Sequence, residues 1–331
     1  MSGSGDSRDQ IDVVYIVVEV LIAVASVLGN VLVCWAVKIN RTLRDTTFCF
    51  IVSLALADIA VGALAIPMAI TVSLGLKTQF YSCLFITCIL ITLTQSSILS
   101  LLAIAVDRYL RARIPTRYRI IVTQKRAWIA VGICWLGSIL IGLTPVFGWH
   151  NRSNEEVENN GMNSSHFKCR FTKVIRMDYM VYFNFFGWVL LPLVIMFGLY
   201  IEIFCIIRKQ LNKVTNAMDS RRYFGKELKL AKSLALVLFL FAACWLPLHT
   251  INAILYFCPQ CTVPKTALHF GIFLSHANSA ANPLIYAFKI KKFRISFLQI
   301  WNKNILCKSD SLTMYNFDGQ IGTENNFNSS V

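Results

Sequence analysis

Two acids, Asp58 and Glu19, stand inside long apolar stretches of this chain. Ionisable groups in such a setting are costly and point to function. Asp58 has polar company at similar depth in other stretches, namely Ser97, Asn278 and Asn282. A carboxylate, a hydroxyl and two amides offer the oxygens that a hard monovalent cation or a water cluster requires. The competing use, for Asp58 and Glu19 alike, is a hydrogen-bonded packing device. Further along, Trp245, Leu248, His249 and Asn252 fall at i, i+3, i+4 and i+7, one face of a helix. Ile272, Ser275, His276 and Ser279 repeat that spacing, and Thr94 and Ser97 show its first step. An amide, two imidazoles and several hydroxyls turned inward among Leu and Ile suit an uncharged ligand of mixed polarity. Interhelical hydrogen bonding is the alternative.

Composition says what must position these groups. Apolar residues make up 56% of the 331-residue chain and charged residues 15%. A soluble domain this apolar would expose patches too large to stay dispersed. Crossing a bilayer takes about 20 mainly apolar residues. Seven runs are read as spans, at 13–37, 48–74, 84–106, 127–148, 179–207, 233–257 and 267–288. Prolines in five of them are tolerable, because neighbouring helices re-satisfy freed carbonyls. The expectation is an all-α membrane protein, a seven-transmembrane bundle over 13–288. A polar segment 1–12 precedes it, an amphipathic membrane-surface helix at 289–301 follows, and a tail occupies 302–331. Residues 1–12 lack a signal-peptide pattern, so the first run is expected to act as an uncleaved anchor.

Of the 32 Lys+Arg, 24 fall in the segments on one side of the membrane and 8 on the other. The positive-inside rule then sets the N-terminus outside. Basic stretches separated by uncharged spans are the layout of a polytopic membrane protein and not of a nucleic-acid binder. Asn151 and Asn163 begin glycosylation sequons in the long outer loop. Cys83 and Cys169 lie on the same outer side, where an oxidising compartment would let them pair. Cys258 and Cys261 lack the second ligand pair of a zinc site, which favours a small disulfide loop. Cys307, beyond the last basic cluster, is a palmitoylation candidate. In 289–301, Phe293, Phe297, Leu298 and Trp301 are read as one apolar side among Lys and Arg, a match to the membrane surface.

Five signatures sit on the expected spans: Gly29-Asn30; Leu54-Ala-Leu-Ala-Asp58; Asp107-Arg108-Tyr109; Cys244-Trp-Leu-Pro247; and Asn282-Pro-Leu-Ile-Tyr286. Together they resemble the rhodopsin-like family of G-protein-coupled receptors, over residues 13 to about 307. The resemblance implies a receptor in the plasma membrane. Asp107, Arg108, Tyr109, Glu227 and Tyr286 would be its coupling residues, with Glu227 pairing Arg108 at rest. The 289–301 segment would be the family's eighth helix.

The third span carries no acid for an aminergic ligand, and the seventh no lysine for a Schiff base. Thr94-Gln-Ser-Ser97, Cys169-Arg-Phe171, Met180-Val-Tyr-Phe-Asn184, Leu246-Pro-Leu-His249 with Asn252, and Ser275-His-Ala-Asn-Ser279 resemble the adenosine receptors. That resemblance implies adenosine as ligand. Asn252 would take the adenine edge, and Phe171 would stack on the purine between Leu248, Met180 and Ile272. Ser275 and His276 would take ribose hydroxyls, with Glu19 setting the His276 tautomer. Thr94 and His249 would lie deeper, above a Trp245 floor. The short tail resembles the inhibitory-coupled subtypes, which implies a Gi/o partner. His249 resembles the first subtype; Thr172, the Ser275-His-Ala run and the Cys307 tail lean to the third. No cofactor is expected beyond a possible allosteric sodium ion at Asp58. A receptor for another small neutral or lipid ligand is the runner-up. A transporter lacks the expected repeats, and an intramembrane enzyme lacks a nucleophile or further ligand beside its histidines.

Overall fold

Hydrocarbon offers a backbone amide no hydrogen-bond partner, so each span must close its own ladder as a helix. The computed structural model describes residues 3–40, 46–74, 77–151, 167–213 and 218–302. Seven long helices are present among them: α1 (Gly3–Ile39), α2 (Thr46–Ser73), α3 (Phe80–Arg113), α4 (Gln124–Leu143), α5 (Tyr179–Leu190 continuing as Leu191–Lys213), α6 (Met218–Phe257) and α7 (Lys265–Lys289). α8 (Lys291–Ile300) follows after one residue. α3 is the central post, packed against α2, α4 and α5, and α7 closes the ring between α6 and α1. On the outer side, β1 (Lys77–Thr78) pairs antiparallel with β2 (Phe167–Lys168). Disulfides join Cys83 to Cys169 and Cys258 to Cys261.

The bundle is apolar outside and polar within. On α1, Leu21 and Leu28 are 64% and 60% exposed, while Glu19, Ser26 and Asn30 are fully buried. That inversion places α1 in lipid, since a water-soluble helix would turn the other face outward.

Several helices run past the apolar windows. α1 begins at Gly3, α3 ends at Arg113 and α6 begins at Met218. Hydropathy reads only the length in contact with lipid, and a helix continues into water where its end is favoured. Arg111 and Arg113 in the last turn of α3 complement its C-terminal dipole. Conversely, among the described residues six helices are long and apolar enough to span by composition, and α7 is not one of them. It is helical over 25 residues, but Ser275, His276, Asn278, Ser279 and Asn282 are all buried inside the bundle. Its polarity is the cost of furnishing the interior.

Two stretches have widened π turns, Val61–Ala65 within α2 and Tyr179–Leu190 in α5. Such turns re-aim side chains and recur at functional sites. The face expected for α8 also needs correction. Phe293, Ser296 and Ile300 are buried, and Phe293 stacks on Tyr286 and meets Phe48. Leu298 and Trp301 remain 56% and 53% exposed. The apolar arc is wide enough to serve two surfaces, so one edge docks on the bundle and the other is left for lipid.

α3 and α4 approach closely at Gly142. A Cβ there would meet the Thr92 hydroxyl at 2.0 Å and its backbone nitrogen at 2.8 Å. The side chain of Thr92 can rotate away, but the backbone cannot. Gly142→Ala should therefore destabilise the purified protein by about 1–3 kcal/mol, read as a lowered melting temperature. An unchanged melting point would mean that the two helices are free to part.

Candidate functional site

The polar interior falls into three levels. At the outer level, polar and aromatic side chains of α3, α5, α6 and α7 are turned inward, and the region they share is the outer chamber of the bundle. His249 lies flat against Phe185, with centroids 5.1 Å apart and planes 7° apart, and Trp245 is 6.0 Å away. Both His249 nitrogens, the Trp245 indole nitrogen and both Gln95 amide atoms are buried without a hydrogen-bond partner among the described residues. Leaving a buried donor or acceptor unsatisfied costs about 1–3 kcal/mol, so these atoms have capacity for further hydrogen bonds. The Thr94 hydroxyl donates to the Leu90 carbonyl at 3.0 Å, and Ser275 donates to Ile272 at 2.7 Å. Each hydroxyl oxygen keeps acceptor capacity. Asn252, Leu248 and Ile272 are half-buried. Phe171 and Met180 pack into one cluster with Cys83 and Cys169, so the disulfide fixes Phe171 relative to the outer end of α3.

Beside the chamber, His276 Nδ1 is 2.8 Å from Glu19 Oε2. The acid is fully buried, and its second oxygen has no partner among the described residues. The contact holds the His276 ring by its Nδ1 edge and leaves Nε2 on the other side.

At the middle level, Asn282 Nδ2 donates to Asp58 Oδ2 at 2.8 Å and Ser279 lies beside the same carboxylate, while Asp58 Oδ1 has no geometric hydrogen-bond partner among the described residues. Ser97 and Asn278 are buried too, but the Ser97 hydroxyl donates to the Leu93 carbonyl of its own helix at 3.3 Å. The buried Asp58 carboxylate thus keeps one oxygen with capacity for a further hydrogen bond or a cation.

At the inner level, Arg108 is nearly fully buried. Its Nη1 donates to Glu227 Oε2 at 3.1 Å and Nη2 donates to the Thr47 hydroxyl. Thr47 in turn donates to Asp107 Oδ2. The other Asp107 oxygen takes the Tyr118 hydroxyl at 2.5 Å, and Thr46 bonds Tyr118 at 2.6 Å. Tyr118 lies on a short helix, Pro115–Ile121, in the loop after α3. Burial, with the Asp107 charge beside it, pushes the Tyr118 hydroxyl above its ordinary pKa and keeps it a donor. Tyr109 packs against the core. The buried Tyr286 ring stacks on Phe293 at 5.3 Å.

Sequence spacing missed Thr46, Thr47, Tyr118, Gln95 and Phe185. Gln95 had a signal, a polar residue inside a span next to Thr94. The inner threonines and Tyr118 had none, because their role depends on how α2 and the loop register against α3. Asn151 is exposed on the outer side. Asn163 and Cys307 lie outside the described residues.

Inward-facing polar side chains near the outer ends of the helices, a buried arginine paired at the inner end and long apolar helices between them suit a transmembrane receptor. Residues 29–286 match the 7 transmembrane receptor (rhodopsin family) profile, and the chain belongs to that family. Within it the chain is similar to the adenosine receptor A3 of Ovis aries, 55% identical over 297 residues that cover 89% of this chain and 92% of the relative. The adenosine receptor A3 of Canis lupus familiaris is 52% identical over 314 residues, 94% of this chain and 98% of the relative. That of Bos taurus is 53% identical over 297 residues, 89% and 92%. The protein is thus a multi-pass membrane receptor with its N-terminus outside, and not an enzyme.

The latch yields a structural prediction. With Glu227 replaced by alanine, the ion pair from α6 to Arg108 is lost, and removing one partner of a buried pair costs up to about 3–5 kcal/mol. Spin labels on the inner ends of α3 and α6 should then report a longer, broader distance distribution. Unchanged distances in Glu227→Ala would show that packing alone holds α6 in place.

Proposed function

We propose that this receptor binds adenosine in the outer chamber and couples to inhibitory Gi/o proteins, with the third adenosine receptor subtype as its type. The observation that carries the reading is the chamber itself. It holds an amide at Asn252, an imidazole at His276 oriented by Glu19 and unpartnered nitrogens at His249, within a chain more than half identical to proteins named as adenosine receptors. Adenine presents a donor next to an acceptor, and a side-chain amide matches that edge bidentately. Phe171 supplies the stacking face, with Leu248, Met180 and Ile272 around it. Ser275 and the free side of His276 face the ribose hydroxyls, and Thr94 and His249 meet the 5′ end above Trp245. On the inner side, Arg108 released from Glu227 is the group offered to the C-terminal helix of a G protein α-subunit. Displacement of a radioligand by adenosine, followed by nucleotide exchange on Gi in the same membranes, tests the reading; a chain silent to adenosine in both assays would end it.

Asn252→Ala should abolish adenosine binding with surface expression near normal. Two neutral hydrogen bonds at about 0.5–1.5 kcal/mol each, plus the unsatisfied ligand atoms, put the loss at tenfold or more. Affinity within threefold of the unaltered receptor would remove Asn252 from the site.

Sodium at Asp58, with Ser97, Asn278 and Asn282 near it, would favour the resting bundle, since an ion that prefers one state shifts the equilibrium toward it. Sodium should then weaken agonist binding. Asp58→Asn should erase that sensitivity while antagonist affinity stays. Retained sodium sensitivity in the variant would mean that the ion acts elsewhere.

A further inference from the structure

Aromatic rings gather where α5 and α6 meet the outer surface of the membrane. The rings of Tyr182 and Tyr256, of Tyr182 and Phe257, and of Tyr256 and Phe257 stand nearly perpendicular, at 87°, 86° and 77°. Their centroids are 5.5, 6.0 and 5.1 Å apart in the same order. Tyr182 and Phe257 are 54% and 57% exposed, and Tyr256 is half-buried. Aromatic anchors are common at a membrane surface, but scattered anchors do not require three ring planes to meet at one corner. The trio lies close to the outer limits of the spans read from the sequence, residues 179 and 257, which is the level of lipid headgroups.

Charge stands beside the rings, one turn toward the water. Arg176 donates to Asp178 through Nε at 3.1 Å and through Nη2 at 2.6 Å. The Tyr256 hydroxyl lies beside that of Tyr182 and within electrostatic reach of both charges. The Arg176 side chain is 50% exposed, and its guanidinium keeps further N–H donors for another acceptor. The backbone is fixed on both sides of the corner, which lowers the cost of ordering it around a ligand. Asp178 Oδ1 accepts from the Tyr179 N–H at 2.9 Å where α5 begins, and the Cys258–Cys261 disulfide closes the chain directly after Phe257. Aromatic faces recognise a quaternary ammonium, whereas a primary ammonium is compact and strongly hydrated. An arginine beside them suits a phosphate. Both groups occur in one molecule at this depth, the phosphocholine lipid.

We propose that the outer corner of α5 and α6 binds the headgroup of a phosphocholine lipid of the outer leaflet. The quaternary ammonium lies against Tyr182, Tyr256 and Phe257, near the Asp178 charge, and the phosphate meets Arg176. The bound lipid braces the outer end of α6 on α5. The site does not depend on adenosine being the ligand.

The test uses the full-length receptor in a maltoside detergent, given equal amounts of phosphatidylcholine and phosphatidylethanolamine with the same acyl chains. Native mass spectrometry then counts the lipids retained. Phosphatidylcholine should be retained over phosphatidylethanolamine by at least about fivefold. The double variant Tyr182→Leu/Phe257→Leu should bring that ratio close to one at an unchanged melting temperature. Crosslinks from a phosphatidylcholine with a photoreactive group on its choline should fall within residues 176–186 and 252–257. If the variant does not fold, the ratio and the crosslinks of the unaltered receptor still decide. Equal retention of the two lipids would reduce the trio to ordinary surface anchors, and a ratio that survives in a folded double variant would place the lipid elsewhere. Crosslinks outside the two segments, or displacement of the lipid by an equal concentration of soluble phosphocholine, would likewise overturn the proposal.

Discussion

Everything in this molecule follows from one constraint: hydrocarbon supplies no hydrogen bonds. Polar side chains must therefore turn inward and find partners on other helices. Asn30 on α1 donates both to Ser26 O and to Ser279 O on α7, each at 2.9 Å. Ser26 donates to the Asp58 carbonyl on α2 at 2.9 Å, and Asn282 on α7 reaches the Asp58 carboxylate. Trp135 on α4 donates to Ser53 on α2 at 3.0 Å, and Ser53 is 3.2 Å from Ser100 on α3. Ties of this kind are worth about 0.6 kcal/mol on average, because the separated helices also find partners. They set register without welding the bundle shut, and a receptor needs helices that can change places.

α6 is where that freedom concentrates. It meets the chamber through Trp245 and His249, whose nitrogens have no partner among the described residues, and it meets α3 through Glu227 on Arg108. Pro247 interrupts the same helix between Trp245 and His249, at the level of the chamber. His249 and Trp245 near one end and Glu227 near the other thus sit on one continuous helix, so a displacement at either level can be carried to the other. A packed interior is bistable and does not deform continuously, so a small displacement at the chamber can appear as a change of partner at Arg108.

Residue chemistry was legible in the sequence further than residue geometry. The apolar runs predicted the helices, because the bilayer demands them. Their ends escaped, since α6 continues in water to Met218 with nothing in hydropathy to mark it. The seventh helix formed although its composition is too polar to span by itself, because its polar face never meets lipid. Spacing put His249 and Asn252 on one face, but it could not reveal that His249 stacks on Phe185, which depends on a π turn in α5. The Glu19–His276 contact joins residues 257 positions apart; family resemblance suggested it, whereas spacing had no means to. For α8 the residues were identified correctly as apolar, yet an arc this wide serves both bundle and membrane, and only packing tells which residue does which.

The inner cluster shows how the latch can be strong and still reversible. Opening a buried ion pair ordinarily strands a charge, and that is what makes it expensive. Here the two charges are not equally buried: the Arg108 side chain is 2% exposed and that of Glu227 is 20% exposed. Glu227 is thus the partner nearer to water, and separating the pair would strand it less than it would strand Arg108. Arg108 stays behind with Thr47 as acceptor and Asp107 at 3.8 Å. Asp107 in turn is held by the hydroxyls of Thr47 and Tyr118, so it does not need the arginine to be satisfied. The three hydroxyls of Thr46, Thr47 and Tyr118 therefore lower the cost of switching without joining the switch. They hold the buried Asp107 carboxylate and give Arg108 an acceptor that does not come from α6.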